Sequence, residues 1–171
     1  SSWQLIGHES AIRVPSCASP VPFLEGLIDE PLLLTRDSND QLHCLSNVCT
    51  HRGNILVDGN CQLKNITCSY HGRKFGMDGS FLQMPETEGM KDFPTERDNL
   101  AKVPFHNWRN FLFGSIQPNM DFNEWIAPVE ERVGWLPLED FRFDPSRSRE
   151  YLVKSNWALY CDNYLEGFHI P

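Results

Sequence analysis

At 171 residues, with a formal net charge of -8, the chain is long enough for one cored domain and the beginning of a second. It has no Lys/Arg cluster of the kind that tracks phosphates or anionic lipid, so neither nucleic acid nor a membrane is expected as a partner. No segment approaches membrane-spanning length, and the opening Ser1-Ser2-Trp3-Gln4-Leu5-Ile6-Gly7-His8 has no basic flank leading into an apolar stretch; a soluble, cytoplasmic protein is expected.

Residues 1 to about 116 read as short strands separated by turn signals, the spacing of an all-β domain. Pro31-Leu32-Leu33-Leu34-Thr35 predicts one strand, Asp37-Ser38-Asn39-Asp40 a turn, and Gln41 to Asn47 a second strand. Asp58-Gly59 and Asp78-Gly79 are dipeptides that close two-residue hairpins, which predicts two similar hairpins supporting two matching loops. Val103 to Phe105 and Trp108 to Phe113 flank His106-Asn107, a further candidate turn. Asp121 and Glu124 form a capping pattern ahead of Phe122, Trp125, Ile126 and Val129 at helical spacing, with Pro128 expected to restart the helix. Residues 117–145 read as a proline-punctuated connector. Glu150 to Lys154 then predicts a strand, and Asn156 the start of a helix running to the end.

The chemistry concentrates in Cys49-Thr50-His51-Arg52-Gly53 and Cys68-Ser69-Tyr70-His71-Gly72. Each segment offers one thiolate and one imidazole. Thiolates stabilise ferric iron bridged by sulfide, and two neutral histidines on the other iron raise the reduction potential. The glycines let the backbone pass close to an inorganic core. The same donor set, two Cys and two His, is also that of a structural zinc ion. Cys17, Cys44, Cys61 and Cys161 stand outside the pattern and are expected to be buried thiols packing as small hydrophobes.

Cys-x-His followed by Cys-x2-His at this separation resembles the signature of the Rieske family, over residues 3 to about 116. The resemblance implies a mainly β, antiparallel sandwich or barrel holding a [2Fe-2S] cluster on Cys49, His51, Cys68 and His71. Respiratory members carry an additional cysteine in each loop, where this chain has Asn54 and Tyr70, so their shielding disulfide is excluded. Arg73 stands where those members have a hydroxyl donor and where oxygenases commonly have Trp. Fewer neutral donors to the sulfurs implies a potential near the low end of the roughly -150 to +300 mV Rieske range. Arg73 and Lys74 read either as a basic spot for an acidic partner or as a solvated surface pair.

The stretch from Asn156 to His169 resembles the segment that opens the active site of Rieske non-haem iron oxygenase large (alpha) subunits, the aromatic-ring-hydroxylating dioxygenases among them. On a helix Asp162, Glu166 and His169 would share one face, while Trp157, Tyr160, Tyr164 and Phe168 occupy another. The resemblance implies His169 as a ligand of mononuclear Fe(II), Glu166 as an acidic bridge to the cluster, and Asn163 as a neighbour of that iron. It divides the chain into a Rieske domain over 1–145, with its cluster core at about 30–116, and the first strand and helix of an α/β catalytic domain over 146–171. A second histidine and a late carboxylate are missing, so the chain is expected to be a fragment of a larger subunit.

The implied activity is electron transfer through the cluster to mononuclear iron that activates O2. The organic substrate, aromatic compounds included, would be hydroxylated, dihydroxylated or demethylated. A ferredoxin or flavin reductase drawing on NAD(P)H and a homotrimer are the implied partners. The alternative is a stand-alone Rieske ferredoxin-type electron carrier. His8, His43 and His106 are expected to be strand or turn residues, Trp108 and Trp125 core residues, and Arg52 either a neighbour of the cluster histidine or a salt-bridge partner.

Overall fold

The computed structural model describes residues 2–142 and 144–166. These residues form two compact units, 1–139 and 140–171. In the first, β1 (Gln4–His8), β9 (Phe105–Trp108) and β10 (Phe111–Gly114) form one sheet in the order β1-β10-β9. A second sheet has β2 (Cys17–Phe23), β3 (Glu30–Arg36), β4 (Leu42–Ser46) and β5 (Cys61–Gln62) in the order β4-β3-β2-β5. The third holds β6 (Ile66–Thr67), β7 (Lys74–Phe75) and β8 (Phe81–Gln83). Every pairing described is antiparallel, as the composition of strands and turns predicts.

Leu32, Leu33 and Leu34 explain how two cores share one sheet. Successive side chains of a strand point to opposite faces. Leu33 accordingly packs with Ala18, Leu45, Ile66, Phe75 and Leu100, while Leu32 and Leu34 pack with Ile12, Phe23, Cys44 and Leu112. All three leucines are fully buried, so β3 reads as an uninterrupted apolar run. Pro20 and Pro22 sit in β2 beyond Ala18, where β5 no longer pairs, so their missing N–H groups break no ladder there.

The expected turn after Arg36 forms, with Asp37 Oδ1 accepting from Asn39 N–H (2.8 Å) and Gln41 N–H (2.9 Å). Asp78-Gly79 does close a hairpin, but as part of a three-residue turn over 77–79, with Gly76 N–H donating to Ser80 O at 2.7 Å and Gly79 at φ 83°. The other Asp-Gly pair does not close a hairpin, because Cys61 and Gln62 pair with β2 rather than with the strand before them. The aromatic hairpin forms, but its turn is Arg109-Asn110, not His106-Asn107. Trp108 faces Phe111 across the ladder, and Arg109 (φ 50°) and Asn110 (φ 71°) take the left-handed conformations that a two-residue turn needs.

Helix α1 (Phe122–Val133) starts on Asp121, whose side chain accepts the Asn123 N–H at 2.8 Å. Pro128 does not restart it; the helix runs through. Phe122 and Ile126 are buried with Trp3 on one side of the proline, and Glu130 binds Trp108 and Arg109 on the other. Both flanking turns are thus held by tertiary contacts, which offset the one backbone bond a proline removes.

In the second unit α2 (Trp157–Leu165) begins on Asn156, whose side chain accepts the Ala158 N–H at 2.9 Å. The strand expected over 150–154 is not formed: a strand needs a hydrogen-bonding neighbour, and among the described residues none lies alongside.

Candidate metal centre

The two ligand segments are the tips of two matched hairpins. One is closed by the Val48–Ile55 bridge and the other by Thr67 opposite Lys74, each pair seven residues apart. Inside them the backbone repeats bond for bond. Cys49 N–H donates to Asn54 O and Cys68 N–H to Arg73 O, both at 2.8 Å; Gly53 N–H donates to Cys49 O and Gly72 N–H to Cys68 O, both at 3.0 Å. Gly53 (φ 71°) and Gly72 (φ 70°) occupy the same left-handed conformation. The N–H groups two and three residues on, His51 and Arg52 in one loop and Tyr70 and His71 in the other, donate to the respective sulfur. The sequence suggests a hairpin following each loop; the structure forms the one after the second loop but not the one after the first, and the ligand loops are themselves hairpin tips. The Cys-x-His and Cys-x2-His spacings hide this symmetry, because the histidine sits one position later on an otherwise identical frame.

Buried Asn47 fixes the base of the first loop, donating to Val57 O at 2.8 Å and accepting Val57 N–H at 3.0 Å. Cys49 and Cys68 belong to the core cluster, 3% and 2% exposed, and lie within hydrogen-bond reach of each other. His51 and His71 are exposed, with ring centroids 4.8 Å apart. Tyr70 lies against His71 at 3.7 Å. Thiol therefore meets thiol inside, and imidazole meets imidazole outside. Among the described residues no three His, Cys, Asp or Glu side chains converge as a single ion requires. This pairing of like with like suits two metal atoms, one taking sulfur and the other nitrogen, and does not suit tetrahedral zinc.

The electrostatics favour the ligand form at Cys68 and His51, but not at Cys49. Burial pushes the Cys68 thiol up, but N–H groups of Tyr70 and His71 and the side chains of Cys49 and Asn54 outweigh it and leave the thiol below its ordinary value. Burial dominates at Cys49 and raises it. His51 is lowered by partial desolvation of its ring, then by His71, Arg52 and Arg73, so its nitrogen is neutral and able to donate a lone pair near pH 7.

Arg73 is the main departure from the sequence reading. It is no surface residue: 3% exposed, it turns inward between Phe75, Phe81 and Phe93 and pairs with Asp98. Arg52 is exposed, and no ion pair involves it among the described residues. The outlying cysteines divide: Cys44 is buried, Cys17 half-buried, and Cys61 and Cys161 are exposed, contrary to the expectation for those two. His8 caps Ser10, His43 bonds Asp37, and His106 stacks on Phe122 at 4.6 Å, all structural roles as expected. Trp108 and Trp125 pack against the core of Trp3, Phe122 and Ile126.

Sequence reasoning missed Asp98 and Thr50, which join across the loops, although Thr95-x-x-Asp98 carries a capping-box pattern that could have flagged that segment. In the second unit Asn163 is exposed on α2. Glu166 is half-buried and donates its N–H to Asp162 O at 3.2 Å, but its backbone is extended and ends the helix there. Glu166 is thus the C-cap of α2 and not a residue within it; His169, with Phe168, lies outside the described residues.

A family model described as Rieske [2Fe-2S] domain matches residues 2–94, over half of the chain. The chain belongs to the Rieske family. Along 180 residues it is 32% identical to choline monooxygenase, chloroplastic, of Amaranthus tricolor, covering 99% of this chain and 38% of that protein. It is 29% identical over 191 residues to the 2-halobenzoate 1,2-dioxygenase large subunit of Burkholderia cepacia, covering 99% and 37%. Its Rieske fold matches the crystal structure of a quaternary ammonium Rieske monooxygenase in complex with gamma-butyrobetaine, with a TM-score of 0.78 at 24% identity over 99% of this chain and 48% of that one. The Rieske chain thus spans less than half the length of these relatives.

Proposed function

We propose that Cys49 and Cys68 hold one iron of the Rieske cluster and His51 and His71 the other, and that the complete protein is an oxygenase using it. The observation that carries the assignment is the segregation of the donors, thiols together in the core and imidazoles together at the surface. When bound, the cluster supplies one-electron redox chemistry. The chain's own contribution is to bury the sulfur side away from water and to hold two imidazole edges outward, where an electron can arrive or depart. Backbone N–H groups aimed at each sulfur favour its thiolate form.

On the resemblance of residues 156–169, Glu166 is the acidic bridge toward a mononuclear non-haem Fe(II), Asn163 a neighbour of that iron and His169 one of its ligands. That iron would activate O2 to oxygenate an organic substrate. Ferredoxin or a flavin reductase fed by NAD(P)H supplies electrons, and the protein works in the cytoplasm as a homotrimer. Two relatives point to substrate classes worth testing, a quaternary ammonium compound and a substituted benzoate.

The test is metal analysis with EPR on the purified protein. Iron and inorganic sulfide in equal amounts, with a signal appearing on reduction and lost in Cys68→Ser and His71→Ala, is the expected result. Zinc in place of iron, or a colourless protein after anaerobic reconstitution, overturns it. O2 consumption by the complete protein with choline, carnitine or 2-halobenzoate then identifies the substrate class.

A further inference from the structure

We propose that the Arg73–Asp98 ion pair sets the charge beside the cluster and ties its two ligand loops together, making both of them positioning residues. The inference rests on the ligand assignment above and goes beyond it.

Arg73 is bound into the second loop through its backbone, whose carbonyl accepts the Cys68 N–H at 2.8 Å. Its side chain carries a fixed positive charge into an apolar setting, with the guanidinium 4.8 Å from the Phe81 ring centre, 5.7 Å from Phe75 and 5.8 Å from Phe93. Its Nε is buried without a hydrogen-bond partner. A buried cation is tolerated only when it is paired, and among the described residues Asp98 is the carboxylate that meets it.

Asp98 is built for this position. Its Oδ2 accepts the Thr95 N–H (2.7 Å) and hydroxyl (3.0 Å), leaving Oδ1 for Arg73. Its main-chain oxygen accepts the Thr50 hydroxyl at 2.9 Å and Arg73 Nη2 at 3.3 Å. Thr50 lies between Cys49 and His51, so one residue reaches both ligand loops. The segment carrying Asp98 is itself anchored: Asn99 accepts the Phe81 N–H and Leu100 donates to Gly79 O, both at 2.8 Å.

A cation close to a redox centre favours its reduced, more negative state, and a carboxylate beside that cation cancels the effect. The two residues therefore act with opposite sign. A purely structural brace would not behave this way, since loosening it from either end disturbs the loops alike.

The experiment is a potentiometric titration of the cluster-loaded protein, followed by EPR. Asp98→Asn is expected to raise the reduced-to-oxidised ratio at a fixed potential by on the order of tenfold, and Arg73→Gln to lower it comparably. The double variant returns close to wild type, and Asp98→Glu and Arg73→Lys, which keep the charges, stay close to it. Single variants that shift in the same direction overturn the proposal, as do charge-keeping variants that shift as far as the neutralising ones. If a single variant loads no cluster, the double variant decides: a wild-type potential supports the proposal and a displaced one overturns it. Wild-type protein without a cluster would instead remove the ligand assignment, a distinguishable result.

Discussion

Gly79 shows how a single residue is fixed from two directions. Its φ of 83° disfavours any side chain, and a Cβ there would stand 2.9 Å from Leu45 Cδ2 and 3.3 Å from Leu100 Cβ. Gly79→Ala therefore combines backbone strain with overpacking and is expected to cost about 2–4 kcal/mol in urea unfolding. Gly89→Ala meets open space at a similar φ and should cost about 1 kcal/mol. Equal losses would mean that the contact with Leu45 is not what matters. The Asp78-Gly79 turn was legible because its cause is local. So were the four proposed ligands, whose residue types and spacing carry the chemistry directly. Asp98 was not legible as a partner of the loops, since it meets Arg73 from 25 residues away and Thr50 from 48. For the same reason Arg73 reads as surface in sequence: no local pattern shows that three phenylalanines and a carboxylate await it.

Among elements, the junction between the β9–β10 turn and helix α1 is governed by Arg109. Its guanidinium donates to Glu130 at 2.6 Å and to Glu139 at 3.0 Å, while the Trp108 indole donates to Glu130 at 2.7 Å. The Arg109 hydrogen bond, then that of Trp108, holds the Glu130 carboxyl below the usual carboxylate range. A depressed folded value means the contact's stabilisation is fully present above the ordinary carboxylate pKa of about 4.3 and is lost as pH falls through the folded value. Trp108 fluorescence should accordingly change in acid only below about pH 4, and Glu130→Gln should remove that step. An unchanged acid transition in the variant would show that another group drives it. The position of this turn escaped sequence reading because His106-Asn107 and Arg109-Asn110 are both plausible turns locally. Strand register, fixed by burying Leu112, chooses between them.

For the molecule as a whole, the all-β class and antiparallel pairing were readable from strand lengths and turn residues, whereas the division into three sheets depends on long-range pairing such as β1 with β10. The segment after residue 139 is less constrained: Arg142, Arg147, Arg149 and Lys154 are exposed, and between Phe141 and Asn156 the described residues form neither helix nor strand. Limited trypsin digestion is expected to cut there before it cuts within unit 1, as mass spectrometry of timed samples can show. First cuts at Arg36 or Arg73 would contradict the buried ion pairs described for them. The pairing of β1 with β10 has one more result. Gln4 lies opposite Gly114, and Trp3 stands edge-on to Phe122 at 5.3 Å, so the first strand is clasped by the last strand and by the start of α1, and loosening either would bare an edge that no local contact can reclose.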